Sequence, residues 1–205
     1  MITSGVRFLA SSVLGLALVS GLGARAAAAE AANATKFRYL DRSGQPALTL
    51  EVREGAVDVS DGKGVRVGTI KLGDDRVKFR DASDVERLKV KRKENGAEIE
   101  DGAGTRLYRV KLKDEGKIEI EDASGRTVAK AKPKESGFEV RRESGDTIAK
   151  VKIRPGKLVF ETEGGERIGD LDGASDARAG VWLAVDQLPI PERAALWAYF
   201  AKVAP

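Results

Sequence analysis

Apolar residues two apart recur along the chain at a fixed interval. The pairs Phe37/Tyr39, Val57/Val59, Val77/Phe79, Ala97/Ile99, Ile118/Ile120, Phe138/Val140 and Leu158/Phe160 step by 20 residues, with a single step of 21. A second series is interleaved with the first: Leu50/Val52, Ile70/Leu72, Val90, Val110/Leu112, Ala131, Val151/Ile153 and Leu171, with the extra residue in the same place. A spacing of two is the strand period, so each repeat supplies two half-buried strands.

Between the first strand and the second lie Asp-Gly-Lys-Gly (61–64), Asp-Ala-Ser-Asp (81–84), Asp-Gly-Ala-Gly (101–104), Asp-Ala-Ser-Gly (122–125), Glu-Ser-Gly-Asp (143–146) and Glu-Gly-Gly-Glu (163–166). These residues favour positive φ or bond their own backbone, which suits turns. The return turns, such as Glu94-Asn95-Gly96 and Arg154-Pro155-Gly156, are equally short. Connections of this length join antiparallel neighbours and leave no room for crossover helices. The prediction is an all-β antiparallel meander of twelve to fourteen short strands.

Charge follows the same register. First strands point acids outward (Asp58, Glu98, Glu100, Glu119, Glu139, Glu161), and second strands point bases (Lys71, Lys89, Lys91, Arg109, Lys111, Lys130, Lys132, Lys150, Lys152). Adjacent strands therefore present opposite signs to each other, each pair adding roughly 0.2–1 kcal/mol. Lys78 and Arg141 break the rule by placing bases on acid-type strands. The candidate surface-binding residues are Lys78, Lys89, Lys91, Lys111, Lys132, Arg141 and Lys152. Leu107, Val128 and Ile148 fall on the lysine-bearing face rather than the core face, which implies either a bulge that resets the register or a covered outer face.

Beyond the repeats, residues 174–205 form an apolar segment containing both tryptophans. No residue from Ala179 to Val185 is charged, and the breaker Pro189-Ile190-Pro191 opens a second stretch in which Ala194 to Ala201 is apolar nearly all round. Pro191 suits the first turn of a helix, followed by Glu192, and Lys202 suits its last turn. A helix apolar on every side is a buried one. The predicted core plug is Trp182, Leu196, Trp197 and Phe200, around which the repeat sheet is closed or strongly curled, in one domain with residues 36–173. A lumen filled in this way leaves no obvious ligand cavity.

The repeats Ile118-Glu-Ile-Glu-Asp-Ala-Ser-Gly-Arg-Thr-Val-Ala-Lys-Ala-Lys132 and Phe138-Glu-Val-Arg-Arg-Glu-Ser-Gly-Asp-Thr-Ile-Ala-Lys-Val-Lys152, followed by an apolar C-terminal helix, resemble the tubby/LURP-one/scramblase group. The resemblance implies a twelve-stranded antiparallel barrel around a hydrophobic C-terminal helix. Some members of that group have lipid-binding or lipid-moving roles. No binding residue carries over position by position.

Residues 1–29 read as a signal peptide: Arg7, an apolar run from Phe8 to Leu22, then a small-residue series from Ala24 to Ala29. Residues 30–35 read as a linker. The expected location is the bacterial envelope, periplasmic or extracellular, and the lack of cysteine in an exported domain of this size fits that compartment. Loss of Arg7 and Arg25 would lower the formal charge from +4 to about +2, so the overall charge points weakly to an acidic partner. Runs such as Lys89-Val90-Lys91-Arg92-Lys93 can be read as patches for nucleic acid or anionic lipid, but acidic neighbours neutralise most of their field, which favours a solvated, paired face. An anionic lipid surface or another envelope protein is the partner considered, and nucleic acid is not expected.

The chain has no histidine and no cysteine, which removes Cys-His and Ser-His-Asp catalysis and nitrogen- or thiolate-based metal sites. Asp61, Asp101 and Asp122 head turns, where an Asx-turn is the simpler reading than a calcium loop. Asp186, in apolar surroundings, is the carboxylate to examine for a raised pKa. No cofactor is implied. The expectation is a non-enzymatic binding or scaffold protein for an anionic lipid, a polymer or another envelope protein; the alternative is an elongated structural spacer with a C-terminal docking helix.

Overall fold

Every stretch of period-two alternation becomes a strand. The computed structural model describes residues 35–174 and 176–201. The expected leader, nearly all of the linker and Lys202 lie outside the described residues. The strands are β1 (Thr35–Asp41), β2 (Pro46–Arg53), β3 (Ala56–Asp61), β4 (Arg66–Leu72), β5 (Arg76–Asp81), β6 (Glu86–Lys93), β7 (Gly96–Asp101), β8 (Arg106–Leu112), β9 (Ile118–Asp122), β10 (Thr127–Lys134), β11 (Gly137–Arg142), β12 (Thr147–Arg154), β13 (Lys157–Glu161) and β14 (Arg167–Asp172). Each pairs with its sequence neighbours, and β1 closes on β14 through Arg38↔Asp172 and Tyr39↔Leu171. The result is a closed antiparallel barrel of fourteen strands, which leaves neither edge strand free to recruit another chain. The elongated spacer is excluded by this closure.

The anomaly at Leu107, Val128 and Ile148 is a bulge. In the β7–β8 pair the register passes from Ile99↔Tyr108 to Glu100↔Arg106, so Leu107 is the extra residue. Val128 and Ile148 are skipped in the same way in the β9–β10 and β11–β12 pairs. The same event occurs at Ala47, Val67, Arg87 and Ile168, giving every turn-headed hairpin one bulge at the start of its second strand. Two residues then oppose one and the local twist rises, so Val67, Leu107, Val128, Ile148 and Ile168 pack against the core although strict alternation would turn them outward. Arg87 is the polar exception; it lies exposed and bonds Asp81 at 2.6 Å.

Five of the seven turns beside these bulges are Asx-turns; the other two are headed by Arg142 and Thr162. Asp61 Oδ1 accepts the backbone N–H groups of Lys63 and Val65 at 2.9 Å each, and Asp41, Asp81, Asp101 and Asp122 repeat the arrangement. At the opposite end of the barrel, the single step of 21 falls at the return turn after Leu112, where a 3-10 turn over Asp114–Gly116 holds Glu115 at φ 58°.

A barrel of fourteen strands is too wide for its own inward side chains to fill. Two helices occupy the lumen: α1 (Ala177–Ala184), capped by the Asp176 carboxylate on the Arg178 N–H, and α2 (Ile190–Phe200) with Pro191 in its first turn. They pack on each other, α1 also on β11–β13 and α2 on β4–β6. The strands near α1 present small inward residues, Ala129, Ala131 and Ala149, and Gly180 on α1 allows closer approach still: a Cβ there would lie 2.6 Å from Leu158 Cδ1. No helix among the described residues is long and apolar enough to cross a membrane.

Candidate functional site

The outer face of β4, β5 and β6 gathers cations by register. Lys71 on β4 stands directly opposite Lys78 on β5, which in turn stands opposite Lys89 on β6. Arg76 faces Lys91 in the next outward row, and Arg80 continues the β5 series. Like charges facing each other across strands are destabilising by up to about 1 kcal/mol a pair, so their accumulation here is not explained by sheet stability. Between Arg66 and Lys93 there are ten cations and five acids, whereas the chain as a whole is close to balanced.

One acid serves two of these lysines. Lys78 Nζ donates to Glu86 Oε2 at 2.9 Å, and Lys89 Nζ lies 3.4 Å from Glu86 Oε1. The Lys78 hydrogen bond holds the Glu86 carboxyl below its ordinary range against the opposing effect of burial, with Lys89 adding to it. Lys91 is bound to Glu100 at 2.7 Å, Arg76 to Asp75 at 3.3 Å and Arg80 to Asp84 at 3.1 Å. Lys71 is exposed and has no carboxylate within 4.0 Å among the described residues.

Of the seven cations singled out from the sequence, the structure brings Lys78, Lys89 and Lys91 together and places the other four elsewhere. Lys111 on β8 is bonded to Glu121 and stands opposite Glu119. Lys132, Arg141 and Lys152 lie on β10–β12, half the circumference from β5. There Glu139 is buried between Arg141 at 2.7 Å and Lys134 at 3.1 Å, and Lys152 reaches Glu161 at 2.6 Å. The Arg141 hydrogen bond pulls the Glu139 carboxyl down, and Lys134 adds to it. Arg141 stands opposite Lys130 across the β10–β11 pair, but its charge is taken up by Glu139. Lys71, Arg76 and Arg80 belong to the β4–β6 face and were not among the seven, although the short β4–β5 turn already places Lys71 beside Lys78.

Inside the barrel Trp182, Leu196 and Trp197 are buried, while Phe200 is half-buried. Trp182 stacks on Phe200 at 4.5 Å, and Phe37 meets Trp197 edge-on at 4.9 Å. Asp186 is exposed and paired with Arg142 at 2.5 Å, so it is not the buried acid of this segment. That acid is Glu192 in the first turn of α2. Burial raises its pKa, and its Oε2 has no hydrogen-bond partner. Both carboxylates flank one loop, and no local sequence signal distinguishes them.

The lumen is not wholly filled. At the mouth formed by the return turns, a cleft of about 950 Å³ lies between the first turn of α1, the last turn of α2 and the ends of β5–β12. Val77, Leu112, Phe138, Tyr199 and Phe200 supply its apolar lining. This corrects the expectation of a plugged barrel without a ligand cavity. The two helices pack chiefly on β4–β6 and β11–β13, and the cleft opens between these two contacts at this end.

No protein-family model matches the chain, and no curated protein matches it. Among solved structures, an X-ray structure of a protein from Arabidopsis thaliana is similar at 17% sequence identity, covering 70% of this chain and 85% of that one, with a TM-score of 0.40. A likeness of that strength carries no argument about function.

Proposed function

We propose that this is a non-enzymatic binding protein of the bacterial envelope, exported behind residues 1–29, whose β4–β6 wall holds a linear polyanion. The observation that carries the reading is the Lys71–Lys78–Lys89 row, three cations on three adjacent strands without alternating acids. Strands lie about 4.8 Å apart and outward residues about 7 Å apart along each strand, so the row and its neighbours form a grid roughly 10 Å by 14 Å. A barrel wall is convex, which suits a chain of spaced anions lying along it better than a flat membrane. The absence of histidine and cysteine supports a binding rather than a catalytic role, and no cofactor is invoked. Kinship with the tubby/LURP-one/scramblase group is part of the same proposal. It rests on the barrel around a C-terminal helix, with two strands more than that group and a second helix.

The test is binding of fluorescent dextran sulfate, with neutral dextran as the control, across a salt series. Binding should be saturable and weaken as salt rises, and Lys78→Glu with Lys89→Glu should lower the logarithmic salt slope by about one per lysine lost. The β10–β12 pair Lys132→Glu with Lys152→Glu should leave it unchanged. Equal losses from both pairs, or flotation on phosphatidylglycerol vesicles without any dextran sulfate binding, would refute the assignment.

A further inference from the structure

The inward residue at the return-turn end of each second strand is apolar in most repeats: Val52, Leu72, Leu112, Pro133 and Ile153. In β6 the same position is Arg92, paired across the sheet with inward-facing Ala97. A cation therefore stands in an otherwise apolar ring, at the mouth of the barrel rather than on its outer wall. Arg92 lines the 950 Å³ cleft together with Arg178 of α1. Neither guanidinium has a carboxylate within 4.0 Å among the described residues. Arg92 is near enough to Tyr199 to oppose the upward push that burial gives the tyrosine hydroxyl.

The remaining lining is suited to an apolar body. Leu112, Phe138, Tyr199 and Phe200 are half-buried, and Ile153 is 46% exposed although its register position faces inward. A cleft of this volume is at the upper end of the range that takes a drug-sized ligand. Four cations line it, of which Lys93 and Lys134 are paired with Glu98 and Glu139, and Arg92 and Arg178 are not paired among the described residues. The acids on the rim, Asp74, Glu94, Glu135 and Asp176, lie on turns or, for Asp176, cap α1. Arg92 is the charge that the strand register itself directs into the mouth.

We infer that the mouth cleft is a binding site for a small amphipathic anion, its acid group held by Arg92 with Arg178 and its apolar body laid over Leu112, Phe138 and Phe200. The site is separate from the outer β4–β6 wall, so either assignment can fail without the other. Burial of the apolar body supplies most of the affinity, and the guanidinium selects for charge.

The protein carries a reporter for occupancy, because Phe200 lines the cleft on one side and stacks on Trp182 on the other. The experiment titrates two probes that differ by one group: 8-anilino-1-naphthalenesulfonate and its uncharged parent N-phenyl-1-naphthylamine. Probe emission and the change in tryptophan emission are followed together, in a Trp197→Phe background so that Trp182 is the only emitter. Arg92→Leu, which restores the side-chain type found at Leu72 and Leu112, should weaken the sulfonate by about tenfold and leave the neutral probe within about twofold. Thermal unfolding of Arg92→Leu should be unchanged or higher, which separates loss of charge from loss of fold. Displacement of the sulfonate by decanoate would assign a free acid, and displacement by phosphatidylglycerol vesicles alone would assign a lipid head group; either upholds the site. The inference is overturned if neither displaces it, if binding is not saturable, if Arg92→Leu leaves the sulfonate as tight, or if binding appears only after residues 202–205 are deleted.

Discussion

Replacing Glu192 by glutamine should stabilise the protein at neutral pH and change little in acid. Glu192 is 9% exposed in the first turn of α2, and its buried Oε2 has no hydrogen-bond partner. Burial raises its pKa above the ordinary 4.5, opposed by its own backbone N–H and by Arg193. For an acid shifted upward, folding favours the neutral form. Its favourable contribution is complete below the unfolded-state value, declines as pH rises from there through the folded value, and is flat above both. Glutamine is neutral throughout and nearly the same shape. Glutamine leaves a polar group in the same place, so the substitution removes only the added cost of burying a charge there, which is offset by the roughly 0.3–1 kcal/mol that a negative charge gains in a first helical turn. The variant should therefore gain about 1 kcal/mol at neutral pH, or roughly 2–4 °C in Tm for a domain of this size. Most other shifted carboxylates move the opposite way: Glu86, Glu98 and Glu139 are held low by lysine or arginine, and Glu119 chiefly by Thr127. The parent protein should thus gain stability with rising pH, and only the difference between variant and parent isolates Glu192. Urea unfolding followed by tryptophan emission at about pH 4 and about pH 7 measures it. A destabilised variant at neutral pH, or a difference of the same size at both, would refute the reasoning.

Trp182→Ala empties the centre of the plug, where the ring is fully buried and stacked on Phe200, and should cost about 3–5 kcal/mol in a denaturant titration. Gly180→Leu should cost at least about 1–3 kcal/mol, because even a Cβ would come within 2.6 Å of Leu158 and 2.9 Å of Val151; an unaffected midpoint would show that α1 is not held against β12 and β13. In an NMR pH titration the Asp122 carboxyl should titrate at about 2, held there first by the Ser124 hydroxyl and then by bonds from Arg126 and the Ser124 backbone. Ser124→Ala should move it back toward the ordinary value, and no movement would remove the hydroxyl from the account.

Much of the barrel can be read from the chain because its decisive interactions are local. Alternation sets which side chain faces inward, a turn of a few residues fixes the register of each hairpin, and in five of the bulged hairpins an Asp at the turn's head bonds the backbone two and four residues on. The strands, their order, the Asx-turns and the misfit of Leu107, Val128 and Ile148 all follow from contacts within about twenty residues. So does the meeting of Lys71, Lys78 and Lys89, and so does the inward aspect of Arg92. Tertiary structure decided what depends on closure and on where the helices come to rest. Closure through β1 and β14 separates Lys132, Arg141 and Lys152 from Lys78 by half a circumference, a distance no hairpin register contains. The seating of α1 and α2 buries Glu192 while Asp186 reaches out to Arg142, 44 residues earlier in the chain. It also leaves one sector of the mouth open beside Arg92. Burial is a property of the packed whole, and alternation can say which way a side chain points but not whether anything will be there to cover it.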